Sequence, residues 1–335
     1  MRKIILFLMF SCILTAQKTE YIKLNQSIKD KFSRIKSLTL IDNRTEKDLG
    51  TVTYKKENVQ LKFENEDLKK YVEDWFANDN KTKGNNNDIV LLLEEIRIDD
   101  FKNTGLAKAK VKISSFINRN GKYYFINRYN STVGFNSKLT PNIPRVISVA
   151  IETIFSTLIK DSYSHIALST PIAESDLHNY EEIVGKNIKY LTVPELTNGV
   201  YKDFRSFSLQ KPEEGYYVDK NKKGKVIGIK NREDLLLSAE YVFGYVEDGK
   251  AYRLTPVGFL EMQKDDKGYY VVSSRLELFP PQNVNNGVMI GVMMGGIVGG
   301  MIGAAIDSGK VARDKPENLS NIYIDPLTGE YIFTK

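Results

Sequence analysis

Leu68, Tyr71, Val72, Trp75 and Phe76 fall three and four residues apart, so one face of a helix carries all five. Asn65 stands where an N-cap is expected, with Glu66 and Asp67 at the positive end of the helix dipole. Ile147, Ile151, Ile154, Phe155 and Leu158 repeat the pattern, and Pro144 opens that helix at a position proline tolerates. Between the helices the period changes. The apolar run from Ile89 to Ile98 predicts a strand buried on both faces. Ala107, Ala109, Val111 and Ile113 alternate with Lys108, Lys110, Lys112 and Ser114, which predicts a strand with one wet face. Asn120-Gly121 is a tight hairpin turn, returning through Tyr123 to Tyr129. Lys36 to Asn43 and Thr51 to Tyr54 add two strands. Residues 20–165 are therefore expected to form an α+β domain, an antiparallel sheet with two helices on one face.

Residues 166–190 read as a linker with one short helix. Beyond it, turn residues recur at short spacing. Asn221 to Gly224, Glu247-Asp248-Gly249 and Asp265 to Gly268 each separate two apolar stretches, which predicts a mainly β meander over 191–280, curled into a small sheet or open barrel. Ile322-Tyr323-Ile324 and Tyr331-Ile332-Phe333 flank Asp325 to Gly329 as a C-terminal hairpin within 320–335. A hairpin is marginal alone, so this one is expected to seek the meander's sheet.

Residues 287–306 contain no polar side chain. Gly287, Gly291, Gly295, Gly299 and Gly303 recur every fourth residue, with Gly296 and Gly300 in a second row. On a helix these make a bare groove. In water each interior glycine costs about 0.5–1 kcal/mol relative to alanine. In a membrane or a helix pair the groove admits a second backbone, held by dispersion and weak CH···O contacts. Twenty residues rise about 30 Å, the thickness of the hydrocarbon core. The expectation is a glycine-zipper helix inserted in the meander domain, serving membrane contact or self-association. Packing against its own domain is the bland alternative.

The first 16 residues read as a signal peptide: Arg2-Lys3, an apolar run from Ile4 to Leu14, then Thr15-Ala16. Cleavage is expected between Ala16 and Gln17. Cys12 is the only cysteine. Met9-Phe10-Ser11 before it is a poor acylation signal, so simple cleavage is preferred and the mature chain would carry no thiol. Export to the periplasm or the membrane-associated envelope of a Gram-negative bacterium follows.

Composition adds limits. Hydrophobic residues make up 41% and charged residues 27% of the 335, a globular balance, and 19 tyrosines lean the chain toward strand. Setting Arg2 and Lys3 aside leaves 46 basic against 42 acidic residues, a net +4 that is too diffuse for nucleic acid. Lys108, Lys110 and Lys112 are read as a solvated sheet face. His165 and His178 lie in no metal-ligand pattern. No serine sits in a Gly-x-Ser-x-Gly elbow. Glu94-Glu95, Asp99-Asp100 and Asp265-Asp266 are placed at strand ends or turns. Asp219, Asn221 and Gly224 lack the closing glutamate of a calcium loop. No catalytic, cofactor or metal site is predicted.

The order "IDNRTEKDLGTV", helix, paired long strands and second helix resembles small auxiliary lipoproteins of the bacterial envelope, some associated with transport systems. That resemblance rests on element order and the Asp42-Asn43-Arg44 turn. "TNGVYKDFRSFSLQKP", "VFGYVEDGKAYRL" and "YIDPLTGEYIF" resemble uncharacterised exported proteins of Gram-negative bacteria. The implied role is a non-enzymatic envelope accessory or scaffold, with an envelope protein as a partner. The alternatives are a membrane-active or pore-forming oligomer, and a hydrolase whose site is invisible in sequence.

Overall fold

The computed structural model describes residues 18–81, 87–103, 105–136, 140–279 and 319–332. The predicted cleavage point, Ala16-Gln17, and the zipper glycines Gly287, Gly291, Gly295, Gly296, Gly299, Gly300 and Gly303 lie outside the described residues. The first half runs β1 (Lys18–Ile22), β2 (Ile35–Asp42), β3 (Thr51–Tyr54), β4 (Glu57–Phe63), helix α1 (Leu68–Asp79), then three long strands: β5 (Asn87–Phe101), β6 (Leu106–Arg119) and β7 (Lys122–Asn136). Helix α2 (Ile143–Ser162) and edge strand β8 (Pro171–Ala173) follow. A five-stranded sheet in the order β2-β5-β6-β7-β8 forms the centre. Asn120 and Gly121 both take positive φ, 53° and 72°, as the two-residue turn between β6 and β7 requires.

One face of this sheet carries Ile89, Leu91, Leu93, Ala107, Ala109, Val111, Ile113 and Tyr129. Against it pack the apolar stripes of α1 and α2 and a separate three-stranded sheet, β1-β4-β3. Glu94 is the extra residue of a bulge, where the β5–β6 register shifts between Leu93 and Glu95. The bulge returns Ile96 and Ile98 to the buried face that simple alternation would have denied them. Helix α1 is capped by Asp67, whose side chain accepts from the Lys70 N–H at 2.9 Å. Asn65, the expected cap, instead accepts from the Asp67 N–H at 2.9 Å. Its short side chain reaches only two residues on and closes a turn before the helix.

The second face is buried too. Val90, Leu92, Phe116, Tyr123 and Phe125 join a cluster supplied by the C-terminal half. That half contains a 3₁₀ turn (Glu174–Asn179), α3 (Tyr180–Gly185), α4 (Lys189–Thr192), β9 (Gly199–Tyr201), α5 (Phe204–Ser208), β10 (Tyr216–Lys220) and β11 (Val226–Asn231). Then come β12 (Gly244–Glu247), β13 (Lys250–Thr255), β14 (Gly258–Asp265), β15 (Gly268–Ser273), α6 (Arg275–Leu278), β16 (Ser320–Ile324) and β17 (Tyr331–Ile332). A seven-stranded sheet runs β9-β12-β13-β14-β15-β16-β17, with β10-β11 as a separate ribbon. The larger sheet curls. Arg253 of β13 lies over the Tyr331 ring of β17, 3.8 Å from its centroid, and a Cβ at Gly329 would fall on the Phe204 ring. The interior is aromatic: Tyr190 packs on Phe204, Phe207 and Tyr269 with ring centroids 5.0–5.8 Å apart.

These observations correct the α+β expectation. Among the described residues 44% lie in strands and 22% in helices, spread over several sheets. The first sheet is mixed rather than antiparallel, because β2 joins β5 in parallel. Its helices share their face with a second small sheet, and its other face is not free. Alternation along a strand reports which side chains are buried and is silent on strand partners, so these pairings could not be read from it. The expected zipper helix, 287–306, lies outside the described residues. The stretch 166–190, expected as a linker, supplies β8 and the buried Tyr180.

Candidate functional site

The contact between the halves carries a network of ion pairs around two buried charges, Arg128 and Asp325. On the second face of the central sheet, apolar side chains at one end give way to Glu94, Lys112, Ser114 and Arg128. Tyr180 sits at the boundary. Its ring meets Phe116 edge-on at 5.2 Å and stacks near Phe125 at 5.8 Å. Its hydroxyl lies 2.7 Å from Ser114 Oγ and donates to Glu94 Oε2 at 3.3 Å. Burial pushes that phenol up to about 12.

From there a chain of ion pairs crosses to the tail. Lys112 Nζ is 2.8 Å from Glu94 and 2.6 Å from Glu181. Glu181 is 2.9 Å from Arg128 Nη1, close enough to attract but off-line for a hydrogen bond. Arg128 Nη2 donates to Asp325 Oδ2. Burial alone would raise the Glu181 carboxyl, but Arg128 and Lys112 outweigh it and hold the group below its ordinary value. A neighbouring link is the Arg205 guanidinium on the Ile126 carbonyl of β7.

The tail loop completes the cluster. Asp325 Oδ1 accepts from the N–H groups of Leu327, at 2.8 Å, and Thr328, at 3.1 Å. Arg253 donates to the Gly329 carbonyl at 2.6 Å while its face covers Tyr331. Glu330 Oε1 is closed off from solvent with no hydrogen-bond partner among the described residues. Burial first, and Asp325 second, raise the Glu330 carboxyl to about 8 against the pull of Arg128 and Arg253. At neutral pH it is held mostly as the acid. The cluster is a joint, charged on both sides and built from the central sheet, α3 and the 325–330 loop, with Arg128 and Asp325 buried and Glu181 partly exposed at its rim.

The sequence-level candidates separate as follows. Lys112 is half-buried within this network, Lys110 pairs with Glu95 at 2.6 Å and Lys108 lies over Phe101, so the lysine row is not a free solvated face. Glu94 and Glu95 sit at the mid-strand bulge rather than at a strand end. Asp42-Asn43-Arg44 is a structural turn. Arg44 Nε and Nη2 reach the two Asp42 oxygens at 2.9 and 2.8 Å. Burial would raise Asp42, yet Arg44 and Lys47 together hold it below its usual value. His165 Nδ1 lies 2.6 Å from the Asp161 carbonyl, and His178 is exposed on the 3₁₀ turn. Asn221 Oδ1 accepts from the Lys223 and Lys225 N–H groups, closing a turn. No group of three metal-ligating side chains occurs among the described residues. A shallow cleft of about 420 Å³ is lined by Arg34, Asn87, Arg119 and His165, but Arg34 is turned to the Tyr163 carbonyl at the C-terminus of α2.

The ends of the stretch 280–318 are also fixed. Ser273 of β15 faces Ser320 of β16 across an antiparallel pair. The Phe279 ring meets Tyr331 edge-on at 6.0 Å. β15 therefore ends and β16 begins at the same end of the sheet, where Ser273 faces Ser320. Among the described residues no helix is long and apolar enough to cross a membrane.

No family model matches the chain, and no curated protein does. A solved structure described as "Crystal structure of uncharacterized protein" aligns with 44% of this chain and 99% of its own length, at 7% identity and a TM-score of 0.26.

Proposed function

We propose that the chain is a non-enzymatic accessory or scaffold protein of the bacterial cell envelope, held to a membrane or to a second copy of itself through residues 287–306. The apolar, glycine-patterned composition of that segment motivates the reading. The pairing of β15 with β16 carries its form. A segment that leaves β15 and must return to the neighbouring β16 has to enter and leave any membrane on one side. A single complete crossing would strand β16 and β17 on the far side, away from Arg128 and Arg253. The association is therefore re-entrant or lies along the surface. The ion-paired contact between the halves suits a rigid support better than a reaction centre.

The test replaces Gly291, Gly295 and Gly299 by leucine. The expected result is loss of self-association or a changed membrane partition, measured by analytical ultracentrifugation and detergent-free fractionation, with the near-ultraviolet circular dichroism of the folded halves unchanged. Unaltered partition and unaltered oligomeric state overturn the proposal.

A further inference from the structure

The β10–β11 ribbon has two unlike faces. Tyr216, Val218, Val226 and Ile229 pack inward on Val200, Val242 and Tyr245. Outward, Tyr217 and Ile227 are 42% and 59% exposed, and Leu235 and Leu236 of the following loop are 61% and 66% exposed. Leu236 lies over Gly228, where a Cβ would meet it, so the loop's leucines belong to the ribbon's outer face. The ribbon's turn carries Lys222, Lys223 and Lys225, all exposed. Asp219 is engaged with Lys230 at 3.0 Å, Glu247 with Lys220 at 2.6 Å and Asp234 with the Tyr217 hydroxyl, while Glu233 is exposed at the ribbon's open end, away from the turn. Among the described residues no carboxylate pairs with the three turn lysines.

We propose that this ribbon docks on an anionic lipid surface. Three uncompensated lysines beside a cluster of exposed aliphatic and aromatic side chains match that surface in both respects. The lysines meet headgroup phosphates while Tyr217, Ile227 and Leu236 enter the headgroup–acyl boundary. The aliphatic side chains set this apart from a nucleic-acid contact, which would use the charge and leave them in water. The contact rests on the membrane association proposed above for its setting, but not on residues 287–306 themselves. Each lysine is expected to add ~5-fold to affinity at low salt, so the three together add ~100-fold.

The experiment measures binding of the full chain to phosphatidylcholine vesicles with and without phosphatidylglycerol. Wild type is expected to prefer the anionic vesicles by roughly two orders of magnitude, with the preference collapsing in high salt. K222E/K223E/K225E should reduce binding to the level seen with neutral vesicles, and I227S/L236S should weaken binding to the anionic ones. The G291L/G295L/G299L variant is expected to keep the anionic preference whatever becomes of its partition into neutral vesicles, so the two proposals fail separately. A triple-lysine variant that retains the wild-type preference overturns the docking surface. So does a wild type that shows no lipid preference but binds nucleic acid through these lysines.

Discussion

Asp325 holds its own turn with one carboxylate oxygen and Arg128 with the other, across 197 residues of chain. The same side chain thus shapes the last hairpin and fastens it to the central sheet. Both partners are buried, so the pair was desolvated on folding, and breaking it leaves an uncompensated charge.

Arg128→Met is accordingly expected to destabilise the protein by about 3–5 kcal/mol in urea unfolding. Asp325→Asn keeps an acceptor for the Leu327 and Thr328 N–H groups and removes only the charge, so it should cost less than Asp325→Ala. The double variant R128M/D325N should cost less than the sum of the singles. Additive losses would show that the two charges do not interact in solution.

Glu330 makes stability depend on pH. Its folded-state pKa is raised to about 8 from the ordinary 4.5. The folded form therefore binds a proton that the unfolded form releases across this window. Its contribution is fully present below about 4.5 and is lost as pH rises through about 8. Glu330→Gln should flatten this part of the stability profile and be more stable than wild type at pH 8, on the order of a few kcal/mol. Parallel profiles for the two proteins would refute the assignment.

Tyr180 joins an aromatic contact to a polar one. Tyr180→Phe keeps the ring on Phe116 and Phe125 but leaves Ser114 and Glu94 short of a partner, and is expected to cost about 1–2 kcal/mol. Tyr180→Ala removes both and should cost about 3–5 kcal/mol. Equal losses for the two substitutions would contradict the division of labour.

Gly329 has φ +75° and faces the Phe204 ring, so alanine there is strained and crowded at once. Gly329→Ala is expected to lower stability by about 1–3 kcal/mol. The loss should be smaller in a Phe204→Ala background, which removes the crowding and leaves the strain.

Much of the local structure was legible because it follows from period and turn chemistry. The stripes of Leu68, Val72, Trp75 and Phe76 and of Ile147, Ile151, Ile154 and Leu158 are buried helix faces. Asn120-Gly121 makes the tight turn, and Ile322 and Tyr323 pair with β15. What was not legible depends on distance in sequence. Nothing in the pattern near Glu152 marks it as the acceptor for the Asn25 and Gln26 N–H groups, at 2.6 and 2.7 Å. Nothing near Lys112 says that Glu181 will cover it. The lysine row alternates as a wet face does, because a charged row partly covered by ion pairs has the same period as one in open water. The parallel pairing of β2 with β5 was hidden for a related reason: alternation constrains faces and leaves partners open.

Ser273 and Ser320 close an ordinary antiparallel pair, yet residues 274–319 run between them. Regarded as a hairpin, β15–β16 needs only a few residues to turn. Closure entropy grows with the logarithm of loop length, so carrying this stretch costs the hairpin only roughly 2 kcal/mol more than a four-residue connection. The apolar segment is thus a cassette on a fold that bears its presence cheaply. Excising 280–318 in favour of a short glycine-serine bridge should leave a soluble, fully folded remainder with a slightly raised Tm. The same cassette, moved into another β-hairpin, should carry its association behaviour with it.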